Sequence, residues 1–127
     1  MPGNRRILLI DDDDDIREVA RASLELVGGY EVATASSGQE GLDVSRVDPP
    51  DAILLDVMMP GLDGPATFTR LQEQEETGQV PVVLLTAKTQ EADRRRFAEL
   101  GVAGVLTKPF DPLTLPGEVA EILGWDR

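Results

Sequence analysis

Cysteine and histidine are both absent from the 127 residues. Without cysteine there is no disulfide, no thiolate nucleophile and no cysteine-held metal. Without histidine, imidazole acid–base catalysis, histidine-ligated zinc and a phosphohistidine-carrier role are excluded. Basic side chains are scarce as well, 12 against 24 acidic, for a formal net charge of −12. That disfavours nucleic acid as a partner, because phosphate contacts need a concentrated basic surface. No apolar run approaches the roughly 20 residues of a membrane-spanning helix. The N-terminus, with Arg5 and Arg6 as its basic residues, is followed only by a four-residue apolar segment and then five aspartates, too little for a signal peptide. The expected location is the cytoplasm. The chemistry left to this chain comes from carboxylates, hydroxyls, lysine and a hard cation.

What is present reads as a folded domain. Hydrophobic residues make up 41% and charged residues 28%, close to the average for globular chains. Ile7-Leu8-Leu9-Ile10 reads as a strand buried on both faces. The aspartates that follow suit a helix N-terminus, and Ile16, Val19, Ala20, Ser23, Leu24 and Val27 form one stripe at helical spacing, stopped by Gly28-Gly29. Residues 30–35 make a weaker strand, expected at an edge. Ser37 and Glu40 have capping-box spacing for a helix to about Val47, and Pro49-Pro50 ends it. The next strand is 51–56. After the loop 57–63, Gly64-Pro65 opens a helix carrying Ala66, Phe68 and Leu71, expected to end near Gly78. A strand over 80–85 is closed by Thr86, and a helix over 89–100 carries Ala92, Phe97 and Leu100. A strand over 103–107 precedes a helix opened by Asp111-Pro112, with Val119, Ile122 and Leu123 inward and Pro116 disturbing its first turn. Five strand–helix units imply an α/β fold: a parallel sheet with helices on both faces and right-handed crossovers. The weak second strand at an edge predicts a doubly wound, flavodoxin-like sheet of order 2-1-3-4-5.

In such a sheet, ligands bind beyond the carboxyl ends of the strands. The apolar run Ala52-Ile53-Leu54-Leu55 delivers Asp56 to that edge, with Pro60-Gly61 turning the chain soon after. Asp11 and Asp12 follow the first strand, Thr86 the fourth and Lys108 the fifth, so these side chains converge. Two like charges about 4 Å apart repel by roughly 4 kcal/mol at an effective dielectric of 20. Lys108 answers part of this, and an all-oxygen donor set points to Mg²⁺ or Mn²⁺ for the rest. A carboxylate beside a hard cation, a lysine and a hydroxyl suits phosphoryl transfer to an aspartate.

Leu9-Ile10-Asp11-Asp12, Leu54-Leu55-Asp56-Val57-Met58-Met59-Pro60-Gly61 with Asp63-Gly64, Leu84-Leu85-Thr86-Ala87 and Thr107-Lys108-Pro109-Phe110 occur in the order found in one family. The chain resembles the receiver domain of bacterial two-component response regulators, chemotaxis regulators included, over essentially its whole length. The resemblance implies a single receiver domain over 1–127 without an output domain. It implies that Asp56 becomes the 4-aspartylphosphate by accepting a phosphoryl group from a sensor histidine kinase or histidine phosphotransfer protein. Asp11, Asp12, Asp56 and the Met58 carbonyl would hold the metal, and Thr86 and Lys108 would bind the phosphoryl group. It further implies a cis Lys108-Pro109 bond and an output surface on the helix 4–strand 5–helix 5 face for a downstream protein target, with no membrane contact.

Val105 departs from the pattern, standing where receivers carry an aromatic switch residue. Met58 and Lys88 occupy the places that influence phosphoryl lifetime. Asp13, Asp14 and Asp15 read as a solvated loop and helix cap. A calcium-loop match for Asp11, Asp13 and Asp15 fails at Ile16 and Ala22, where glycine and glutamate are needed. Arg94-Arg95-Arg96 reads as a solvated helix face, with a docking contact as its alternative, and Trp125 as a packing residue at a helix end. The rival function is a haloacid-dehalogenase-type phosphatase with Asp11 as nucleophile. That rival leaves Asp56 unexplained.

Overall fold

Three of the strands are almost continuous apolar runs, and burying both of their faces dictates the architecture. The computed structural model describes residues 5–87 and 91–125. Strands β1 (Arg6–Ile10), β2 (Glu31–Ala35), β3 (Ala52–Asp56), β4 (Val82–Thr86) and β5 (Gly104–Thr107) form one sheet in the order β2-β1-β3-β4-β5. Every pairing is parallel. The expected doubly wound order is therefore borne out, with the polar strand β2 at an edge.

Alternation along the strands divides the core in two. Leu8, Ile10, Ile53, Leu55 and Leu84 face helices α2 (Gly38–Val47), α3 (Gly64–Glu73) and α4 (Glu91–Glu99), meeting Leu42, Phe68, Leu71 and Phe97. Ile7, Leu9, Leu54, Val83 and Leu85 face α1 (Asp14–Ala22) and α5 (Leu115–Leu123), meeting Ala20, Leu115 and Val119. Each fully buried side chain of this size favours the fold by about 1.5–3 kcal/mol, so the central strands carry most of the stability. No helix among the described residues is long and apolar enough to cross a membrane.

Several boundaries differ from the sequence reading, each for a local reason. The apolar stripe of the first helix is narrower than expected: Ala20, Ser23 and Leu24 are buried, but Val19 and Val27 are 45% and 43% exposed. The chain passes from α1 into a π-helical segment, Ser23–Val27, closed by Gly28 N–H donating to the Ser23 carbonyl. A π turn advances fewer degrees per residue than an α turn, so Val27, at the end of the segment, is carried off the buried face, whereas Val19 lies within regular α1 at the stripe's edge. Gly29 then takes φ +75° and ends the segment.

Helix α3 stops at Glu73, before Gly78, because Gln74 is already extended at ψ 135°. Buried Thr77 donates to the Leu71 carbonyl at 2.6 Å and accepts from Gln74 at 2.9 Å, a side-chain alternative to another helical turn. Ser37 caps α2 as expected, accepting from Glu40 N at 3.1 Å, but the Glu40 carboxylate reaches Ser36 N rather than Ser37 N. These bonds hold the Glu40 carboxyl below its usual pKa. Strand β4 begins at Val82 rather than Val80, since Val80 N–H is turned back onto the Thr77 carbonyl. Helix α5 starts at Leu115 with Pro116 in its first turn; the preceding turn is held by Asp111, which accepts from Leu113 N at 2.8 Å. The expected start of the fourth helix at Thr89 lies outside the described residues.

Candidate active site

The strand ladders run slightly past the strands and so fix the functional backbone. Asp11 N–H donates to the Ala35 carbonyl at 3.1 Å, Val57 N–H to Leu85 at 3.0 Å and Lys108 N–H to Thr86 at 2.9 Å. Ile10 lies opposite Leu55, and Asp56 opposite Leu85. Parallel register thus sets Asp11, Asp56, Thr86 and Lys108 along one edge of the sheet. Gly64 keeps the edge compact: a Cβ there would lie 2.6 Å from the Asp56 carbonyl oxygen, so only glycine lets α3 start against β3.

Burial and hydrogen bonding distinguish the acids. Asp11 is fully buried, Asp56 and Thr86 are nearly so, and Asp12 is exposed. The Lys108 ammonium donates to Asp11 Oδ2 at 2.8 Å and to Asp56 Oδ1 at 3.0 Å, and Asp13 N–H donates to Asp11 Oδ1 at 2.9 Å. Oxygens of Asp11, Asp12 and Asp56 lie within 4.8 Å of one another. Burial, with the Asp11 charge adding to it and Lys108 opposing, pushes the Asp56 carboxyl up to about 6. Burial alone would lower the Lys108 pKa, but its bonds to Asp11 and Asp56 outweigh this and raise it. Three carboxylates answered by one ammonium make an all-oxygen, cation-seeking donor set.

The other aspartates have structural work. Asp13 caps α1, accepting from Asp15 N at 2.9 Å and Ile16 N at 3.1 Å. Asp14 pairs with Arg17. The Met58 side chain is exposed, while its backbone N–H favours the charged form of Asp56. Lys88 lies outside the described residues. The Lys108-Pro109 bond is cis, as the resemblance implied. Val105 is half-buried on β5 and lines a shallow cavity of about 320 Å³ with Thr107, Pro109 and Phe110. A larger cleft of about 720 Å³ opens between the loop after β3 and α4, over Met58, Met59, Pro60 and Phe97; it borders the acidic cluster without including it. Arg95 and Arg96 are exposed on α4, and Arg96 pairs with Asp93 at 3.1 Å. Trp125 packs edge-on to Tyr30 at 5.6 Å with the Arg5 guanidinium 4.5 Å from its ring centre, the packing role expected of it.

One residue of the site escaped the sequence reading. Arg17 donates to the Asp11 carbonyl at 2.9 Å and to Asp14 Oδ1 at 2.5 Å. Nothing in residue spacing signals a bond from a helix side chain to a main-chain oxygen in the preceding loop.

Fold and site together define a doubly wound α/β domain with a lysine-bridged acidic cluster at its topological switch point. The response regulator receiver domain family matches residues 7–120, so the chain belongs to that family, the phosphorylation-dependent signalling domains of two-component systems. It is 40% identical over 120 residues to the alkaline phosphatase synthesis transcriptional regulatory protein PhoP of Bacillus subtilis, covering 94% of this chain and 49% of that one. The chain spans about half the length of the curated relatives it matches. Among solved structures it is similar to the chemotaxis protein CheY4 of Vibrio cholerae, with a TM-score of 0.87, 30% identity and 94% and 99% of the two chains covered. It is also similar to the receiver domain of the Pseudomonas aeruginosa sensor histidine kinase PA1611, which has a magnesium ion coordinated in its active-site cleft. There the TM-score is 0.84, the identity 30% and the coverage 96% and 99%. The phosphatase alternative is not favoured: Asp56 stands inside the cluster, whereas that reading gives it no role.

Proposed function

We propose that Asp56 is the phosphoacceptor and that the domain relays a signal through protein contacts. The observation that carries the reading is a nearly buried Asp56 carboxylate bonded to Lys108 and within 4.8 Å of two further carboxylates. An Asp56 oxygen attacks the phosphorus of a phosphohistidine on a histidine kinase or phosphotransfer protein. The O–P bond forms as the P–N bond breaks, and the imidazole leaves with the electron pair. With its pKa near 6, Asp56 is ionised roughly ten to one at pH 7, so the nucleophile is ready without a general base. Asp11, Asp12 and Asp56, with the Met58 carbonyl, would hold Mg²⁺, whose charge offsets that of the phosphoryl oxygens. Lys108 turns its ammonium to a phosphoryl oxygen, and the Thr86 hydroxyl donates to another.

Thr86 ends β4 and Lys108 directly follows β5, so a phosphoryl group that draws them in acts on the α4–β5–α5 face. That face meets the downstream protein in this reading, and the partners and the domain share the cytoplasm. Intact mass after incubation with acetyl phosphate and Mg²⁺ tests the proposal. One added phosphoryl group, absent with EDTA and absent in Asp56→Asn, is expected. Label that persists in Asp56→Asn but is lost in Asp11→Asn would overturn it.

A further inference from the structure

We propose that Arg17 is a positioning residue for the acidic cluster: its guanidinium clamps the peptide between Asp11 and Asp12 and so sets where the Asp12 carboxylate points. This rests on the metal-assisted reading above. Asp11 needs little help, since its N–H, both carboxylate oxygens and its carbonyl are all bonded, to Ala35, Asp13, Lys108 and Arg17 respectively. Asp12 is the opposite case. Its side chain is exposed and makes no hydrogen bond or ion pair among the described residues, so its aim comes from the main chain.

The peptide group is planar. A bond to the Asp11 carbonyl oxygen therefore fixes the plane shared with the Asp12 nitrogen, and with it the torsions on either side that direct the Asp12 Cβ. Arg17 is suited to this because its fork is rigid. One nitrogen holds the carbonyl at 2.9 Å while another is anchored on Asp14 at 2.5 Å, and the side chain is 21% exposed. The Arg17 charge also contributes, after the Ser36 hydrogen bonds, to holding the Glu40 carboxyl of α2 below its usual pKa.

Charge and position make opposite predictions. A cation beside an acidic cluster weakens cation binding, so a purely electrostatic Arg17 would be a handicap, and its removal would tighten Mg²⁺. The ion pair with Asp14 already cancels most of that field, and what remains at the exposed rim is screened. Groups that orient metal ligands typically change metal affinity 10–100-fold when removed. Loss of Arg17 should therefore weaken Mg²⁺.

The experiment is Mg²⁺ titration by calorimetry on the full chain, with melting in EDTA as the control for folding. Arg17→Ala is expected to weaken Mg²⁺ about tenfold. Arg17→Lys, which keeps the charge and loses the fork, is expected to weaken it severalfold. In an Asp12→Asn background, Arg17→Ala should add less than twofold, since the residue it acts through is already neutral. An affinity within twofold of wild type, or tighter, in Arg17→Ala overturns the inference, as does a fully additive double variant. Should Arg17→Ala fail to fold in EDTA, wild-type affinity in Arg17→Lys overturns it equally. A wild-type chain that binds no Mg²⁺ would sink the metal reading itself, and this inference with it.

Discussion

The two ends of the functional edge are built on different terms. At the β1–β3 corner, Asp11 is fully buried and bonded from four directions, and Arg17 and the Asp13 cap fasten the loop behind it. At the β4–β5 end, Phe97 is the only described α4 side chain that is buried, and three of the four β5 residues are half-exposed. The first region holds charge at fixed distances. In the second, fewer of the described α4 and β5 side chains are buried, the condition under which an element shifts at lower cost. A switch needs both: a rigid site to receive the phosphoryl group and a loosely held element to report it.

The sharpest way to break this contrast is to remove Phe97, the one buried side chain among the described residues of α4. Phe97→Ala is expected to destabilise the domain by about 3–5 kcal/mol, with amide protection lost first over 91–99 and last in β1 and β3, read by hydrogen exchange. Uniform loss along the chain would show that α4 is no looser than the corner.

Next in size, and opposite in sign, is Asp56→Asn. The Asp56 carboxyl binds its proton more tightly in the fold, at about 6, than at its ordinary 3.8. Protonation thus contributes stability that is fully present below about pH 4 and is lost as pH rises through about 6. Asparagine removes the penalty at neutral pH, and Lys108 keeps its bond to Asp11. Melting in EDTA at pH 7 should show a gain of about 1–3 kcal/mol. The difference between wild type and variant should shrink toward pH 4. A constant difference across that range would mean the charge is not the cause.

Val105→Tyr comes third. The site is half-exposed beside a shallow cavity, so the ring should fit with a change under about 1 kcal/mol. A larger loss would mean that β5 is packed more tightly than its exposure suggests. Smallest is Asp93→Ala, which breaks the exposed pair with Arg96; chemical denaturation should register under about 0.5 kcal/mol.

Much of this was legible in the sequence because the strands are strong signals. The runs ending at Ile10, Asp56 and Thr86 have no plausible place but a sheet interior, and their end residues then fall together whatever the loops do. Legibility stopped where a single local bond decided the outcome. The π segment turned Val27 outward, and Thr77 ended α3 early by taking the Leu71 carbonyl. Arg17 was invisible for the same reason, since its acceptors are a main-chain oxygen and a neighbouring acid. Hydrophobic periodicity records which face is buried; it carries no trace of which hydrogen bond closes a turn.

The stacking of Arg5 on Trp125, with Tyr30 at the ring's edge, has a consequence for the chain as a line. Arg5 precedes the amino end of β1, so the described chain begins and ends within one side chain's reach, at the sheet edge away from the acids. Topologically the domain is close to a closed ring. A short linker joining residues 5 and 125 would let the ring be opened at an exposed turn such as Gly61, and the strand order, being independent of where the line is cut, would survive.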